Sequence, residues 1–179
     1  MRATGDARLV HEESQPLPGW AWIALIACTL PGLGIAVAMI AGQIPSARWD
    51  LAIVLVVDAI LLLMLTFFMA GVRVRVYDDE IVARLGSWPW PFCVALPDLL
   101  WCRATTYSPL RDFGGWGMRF GKGIRALNGR GNRGVVLAVA DGRRMLLGSD
   151  DPERLTDALG ALGVTVRPTA ETLDEALAD

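Results

Sequence analysis

The hydropathy pattern is dominated by two long apolar runs, 20–41 and 51–71, separated by the nine residues 42–50. Each run reaches the ~20 residues that a helix needs to cross the hydrocarbon core of a bilayer. A connector this short joins antiparallel neighbours, so the pattern predicts a transmembrane helical hairpin over 20–71. The segment 1–19 reads as a polar tail ending in Pro16-Leu-Pro-Gly19. Its acids and the length of the run after it do not fit a secretory signal, which has a basic start and a short apolar core.

After the hairpin the period changes. Val72-Arg-Val-Arg-Val-Tyr77 alternates strictly, as a half-buried strand does. Asp78-Asp79 makes a turn, and 80–85 is the return strand. Trp88-Pro-Trp-Pro-Phe92 excludes a central strand, because proline donates nothing to a ladder. It is either an aromatic loop on the bilayer surface or a loop whose tryptophans cap the core. Further strands are predicted at 92–96, 100–107, 116–120, 124–127, 135–140 and 143–147; the turn Asp141-Gly142 suits the last hairpin. Asp150 or Asp151 caps a helix with Pro152 in its first turn, Leu155, Leu159 and Leu162 form its apolar stripe, and Gly163 ends it. The expected organisation is therefore a tail (1–19), a two-helix hairpin (20–41 and 51–71), a β-rich domain (72–163) and an acidic tail (164–179).

Charge refines this picture. Residues 72–167 hold 14 bases and 10 acids, whereas 168–179 hold four acids and no base. The connector offers only Arg48, while Arg73, Arg75 and Arg84 follow the second run. The positive-inside bias thus predicts a multi-pass protein of the inner (cytoplasmic) membrane with both termini cytoplasmic. Within the hairpin, Pro31 beside Gly32 and Gly34 is a kink or a hinge. Asp58 is the one charged residue well inside either run. It is either a relay group or a neutral acid bonded across the hairpin, to Thr29 or to a carbonyl freed by Pro31.

The block 111–134 is rich in glycine and carries six bases, Arg111, Arg119, Lys122, Arg125, Arg130 and Arg133, against one acid. With Trp88 and Trp90 these are the candidate binding residues, suited to anionic lipid head groups or an acidic protein surface. Three cysteines, Cys28, Cys93 and Cys102, have no metal-type spacing and form no disulfide framework. The single histidine, His11, lies in the polar tail, so neither a nucleophile–base pair nor a zinc site is expected. Gly115-Trp-Gly-Met-Arg-Phe-Gly121 lacks the spacing and the following helix of a dinucleotide fingerprint. No recognisable nucleic-acid module is present.

The opening at 72–79, the block Ser108-Pro-Leu-Arg-Asp-Phe-Gly-Gly-Trp-Gly-Met-Arg119, Gly131-Asn-Arg-Gly-Val135, and Asp141-Gly-Arg-Arg followed by Gly148-Ser-Asp-Asp-Pro-Glu153 together resemble the bacterial PH-like (pleckstrin-homology-like) domain family. The resemblance covers about 72–163. It implies an α+β domain, a bent antiparallel sheet or barrel capped by a C-terminal helix, that binds rather than catalyses and has no catalytic residues or cofactor. The leading expectation is a membrane-anchored binding or scaffold module docking on anionic lipid head groups or a membrane-protein partner. The alternative is a small subunit of a membrane transporter or enzyme complex in which Asp58 acts within the bilayer.

Overall fold

The computed structural model describes residues 7–16, 19–42, 48–69, 71–86 and 89–178. These fall into two compact units. One is built from 7–16 together with 71–178, and the other from the described residues between 19 and 69.

The first unit opens with strand β1 (Leu9–Gln15). The chain then passes through helices α1 (Gly19–Ile40) and α2 (Arg48–Met69), which form the second unit, and returns as β2 (Val72–Tyr77). Strands β1 and β2 pair antiparallel, from Leu9↔Tyr77 to Gln15↔Val72. The helical pair is thus inserted into the connection of a β-hairpin. Segment 7–16 is therefore no polar tail, as expected from its sequence, but an edge strand. Its sequence has no apolar period. Pairing with β2 recruits it, helped by Glu12, whose carboxylate accepts from Arg75 Nε at 2.8 Å.

Helices α1 and α2 are 22 residues each and pack on one another. Among the described residues, no helix is long and apolar enough to cross a membrane. This overturns the transmembrane hairpin and with it the multi-pass inner-membrane placement with cytoplasmic termini. Large apolar side chains such as Ile26, Leu33, Leu55 and Leu63 are exposed on these helices. Asp58 faces α1: a Cβ at Gly32 would stand 2.6 Å from its Oδ1, so the missing side chain of Gly32 makes room for the carboxylate. Thr29 Oγ1 donates to Ile26 O, one turn back in its own helix.

Beyond β2 come β3 (Glu80–Leu85), β4 (Phe92–Ala95), a 3-10 turn (Leu96–Asp98), β5 (Leu99–Thr106), α3 (Pro109–Phe113), β6 (Gly117–Gly121), β7 (Ile124–Asn128), β8 (Arg133–Val139), β9 (Arg144–Gly148), α4 (Pro152–Ala161), β10 (Thr165–Val166) and α5 (Leu173–Leu177). The strands make two sheets, β1-β2-β3-β4 and β10-β5-β8-β9-β7-β6. This unit is thus mostly β, and it departs from a single bent antiparallel sheet. β7 runs parallel to β9, and β10 runs parallel to β5.

Alternation explains the four-stranded sheet. Val72, Val74, Val76, Ile81, Ala83 and Leu85 turn inward and are buried, while Arg73 and Arg84 face out. In the six-stranded sheet Val135–Val139 and Met145–Leu147 are buried continuously, because both faces are covered. Val135, Leu137, Val139, Met145 and Leu147 join Leu155 and Leu159 of α4 in the core shared with the first sheet. Val136, Ala138 and Leu146 meet Trp101, Tyr107, Phe113, Leu173 and Ala176 on the opposite face. Helix α4 begins as its sequence predicts, with Asp151 Oδ1 accepting from Arg154 N. It is not the last element, and 164–179 is no free acidic tail. Gly163 (φ +89°) turns the chain, β10 joins the edge of β5, Ala170 bridges Thr105, and α5 buries Leu173 and Ala176. Helix α3, which no periodic pattern predicts, is capped by Ser108, whose Oγ accepts from Arg111 N.

Candidate functional site

A cleft of the β unit lies between β4 of one sheet and β6, β7 and β9 of the other, and local turn chemistry builds it. Strands β6 and β7 close on the two-residue loop Lys122-Gly123, with Gly121↔Ile124 as the last pair. Lys122 (φ +51°) and Gly123 (φ +75°) are both left-handed, the backbone that twists a hairpin correctly. This loop fixes the register, and the register sets Phe120 opposite Arg125. Arg125 in turn pairs with Met145 of β9. Phe92, the first residue of β4, approaches from the other sheet.

The result is an arginine set between two rings. The Arg125 guanidinium carbon lies 4.9 Å from the Phe120 ring centre and 5.1 Å from that of Phe92. Each such contact contributes about 0.5–1 kcal/mol when partly exposed. Among the described residues, no acidic side chain forms an ion pair with Arg125. Around it is a cleft of about 450 Å³ whose wall includes Ile124 and Met145, both buried, and whose rim carries Arg143 and Arg144. Arg143 is engaged by Asp141. Arg144 Nη1 donates to Leu177 O at 2.6 Å, which ties the cleft's rim to the end of α5.

The other candidate residues are dispersed. Arg130 makes a forked ion pair with Asp150, its Nη2 2.6 Å from Oδ2, and Arg133 pairs with Glu153. Lys122 Nζ lies 3.0 Å from Asp112 and 2.6 Å from Asp174. Arg111 is 3.5 Å from Asp112, and Arg119 is exposed. The basic block is therefore not one face: four of its six cations meet carboxylates. Trp90 is exposed, and Trp88 lies outside the described residues. Asp58 sits in the helical unit against Gly32.

The Lys122 cluster is a clamp joining the β6–β7 turn, α3 and α5, beside a smaller hollow of about 210 Å³. Burial alone would raise the Asp112 carboxyl. The Ser108 N–H, donating at 2.7 Å, together with Lys122 and Arg111, outweighs it and holds the group below the usual carboxylate range. Hydrogen bonding to Asp174 and Asp112 raises Lys122.

Groups suited to covalent chemistry are held elsewhere and quietly. Cys102 is fully buried, and burial pushes its thiol up to about 11. His11 Nε2 lies 3.9 Å from Glu13 in β1. Among the described residues, no three His, Cys, Asp or Glu side chains are placed to hold a metal.

Sequence reasoning singled out Arg125 but missed Phe92, Phe120, Ile124, Arg143, Arg144 and Met145 as its surroundings. The Gly-Lys-Gly turn carried part of the signal, since a two-residue loop there sets Phe120 against Arg125. The approach of β4 and β9 had no local signal. No protein-family model, no curated protein and no solved structure matches this chain.

Proposed function

We propose that the β unit is a non-catalytic binding module whose cleft between the two sheets takes an anionic ligand. The observation that carries this reading is Arg125, a cation held between two rings, facing a cleft and without a carboxylate partner among the described residues. An apolar cleft with a few convergent polar groups is the usual form of a small-molecule site. Arg143 and Arg144 add positive charge at the rim. The sequence's resemblance to PH-like domains, which bind rather than catalyse, is in keeping with this.

Thermal unfolding tests the reading. A ligand that binds only the folded chain raises the melting temperature, and does so more the further its concentration exceeds its Kd. Benzenesulfonate should stabilise the full chain, whereas benzyl alcohol, which has the ring without the charge, should do so far less. Arg125→Gln should abolish the difference, and Arg119→Gln, outside the cleft, should preserve it. An anion effect of equal size in Arg125→Gln would refute the site.

A further inference from the structure

Resting on that reading, we infer that the ligand is an amphiphilic oxyanion. A carboxylate or phosphate head meets Arg125 edge-on, and an attached apolar body lies against Ile124 and Met145. Three features of the cleft lead there. First, the Arg125 guanidinium carbon lies over both the Phe92 and the Phe120 rings, which offer its N–H groups no hydrogen-bonding oxygen or nitrogen. What remains for a ligand is its N–H edge, a planar fork that matches two oxygens of one carboxylate or phosphate. Second, the cleft's volume of about 450 Å³ is of the size that takes an organic ligand rather than a bare inorganic anion. Third, the wall beyond the arginine is apolar and continues into the core, with Ile124 and Met145 at 5% and 3% exposure. Burying a further apolar surface there is favourable, whereas a fully hydrated anion gains nothing from it. Arg143, whose charge is shared with Asp141, stands at the rim as a second and weaker contact for the head.

Titration calorimetry on the full chain decides this, read as the part of the binding that depends on Arg125. Decanoate and decyl phosphate are the probes; acetate carries the head alone and decanol the body alone. Both probes should bind at least about tenfold more tightly than either half, as loss of one charge-assisted fork or of several buried methylenes implies. Arg125→Gln and Arg125→Lys should both weaken the probes by about tenfold or more, because an ammonium cannot present the fork. Arg119→Gln should bind as the wild type does. Acetate binding as tightly as decanoate through Arg125 would sink the amphiphile and leave the anion site standing. Full affinity in Arg125→Lys would sink the edge-on fork. Absence of any Arg125-dependent anion binding would overturn both this inference and the reading it rests on. Phosphatidylcholine vesicles with and without phosphatidate identify the source of the head group. Arg125-dependent retention on phosphatidate vesicles supports a lipid surface, and decyl phosphate binding without retention supports a free amphiphile.

Discussion

At Gly148 a single methyl group would stand 2.9 Å from the end of the Gln15 side chain, itself fully buried, and 3.1 Å from the Asn128 backbone. Gly129 is equally tight against Gln15 O, at 2.7 Å, and a Cβ at Gly71 would come within 2.2 Å of the same carbonyl. Gln15 is fully buried in this glycine cradle, where the last residue of β1 seats against the ends of β7 and β9. Gly148→Ala should therefore lower stability by about 1–3 kcal/mol, read from the urea midpoint, as overpacking does. A change below ~0.5 kcal/mol would mean that β1 can retreat at no expense. None of this is visible in the residue string, where these glycines are merely loop formers. The turn at Lys122-Gly123 is different: its glycine-flanked sequence marks a hairpin, and that hairpin places Arg125.

Among elements, the C-terminal segment shows how composition misleads. Its four acids suggest a solvated tail, yet Leu173 and Ala176 are 2% and 0% exposed on the outer face of the six-stranded sheet. The segment closes the edge of β5, since Arg167 N donates to Cys102 O and Ala170 N to Ala104 O, both at 2.9 Å. Arg103 and Arg144 donate to the carbonyls of Glu175 and Leu177 at the end of α5. Leu173→Ala should therefore cost about 2–5 kcal/mol in guanidinium unfolding, the range for a buried leucine. A loss no larger than that of an exposed site would remove α5 from the core. The acidic residues hid this segment because a five-residue helix shows only one apolar turn, too little for a periodic signal.

At the scale of the whole molecule, the Asp112–Lys122–Asp174 cluster joins three distant stretches of chain and makes stability depend on pH. The Asp112 carboxyl is held below its ordinary value near 3.8. Its contribution is then fully present above that unfolded value and is lost as pH falls through the lower, folded one. Lys122 is raised above its ordinary 10.5, so its share persists below that value and disappears as pH rises through the folded one. Replacing Asp112 by Asn should destabilise the chain by about 1–3 kcal/mol at neutral pH, since the charge-assisted contacts that Ser108 N–H and Lys122 make with the carboxylate are weakened or lost. Urea titrations should show this gap closing once pH drops below 3.8 toward the folded value. A gap that stays constant with pH would show that the carboxylate's charge plays no part.

The strands were legible wherever a periodic pattern met a turn signal. Val72–Tyr77, the Asp141-Gly142 hairpin and the Asp151-capped helix all follow from side-chain alternation, a left-handed glycine at position 142 and an N-cap, which are local physics. Arg125 as a candidate was also marked in the sequence, by charge alone. Tertiary structure decided the rest. It recruited β1 from a polar stretch, because a strand edge needs only backbone groups and a few ion pairs. It drew most of the basic block into pairs with carboxylates that lie up to 52 residues away along the chain. And it made a cleft around Arg125 by setting Phe92, Phe120 and Met145 beside it from three different strands, a meeting that depends on sheet register and so has no signature in any one segment.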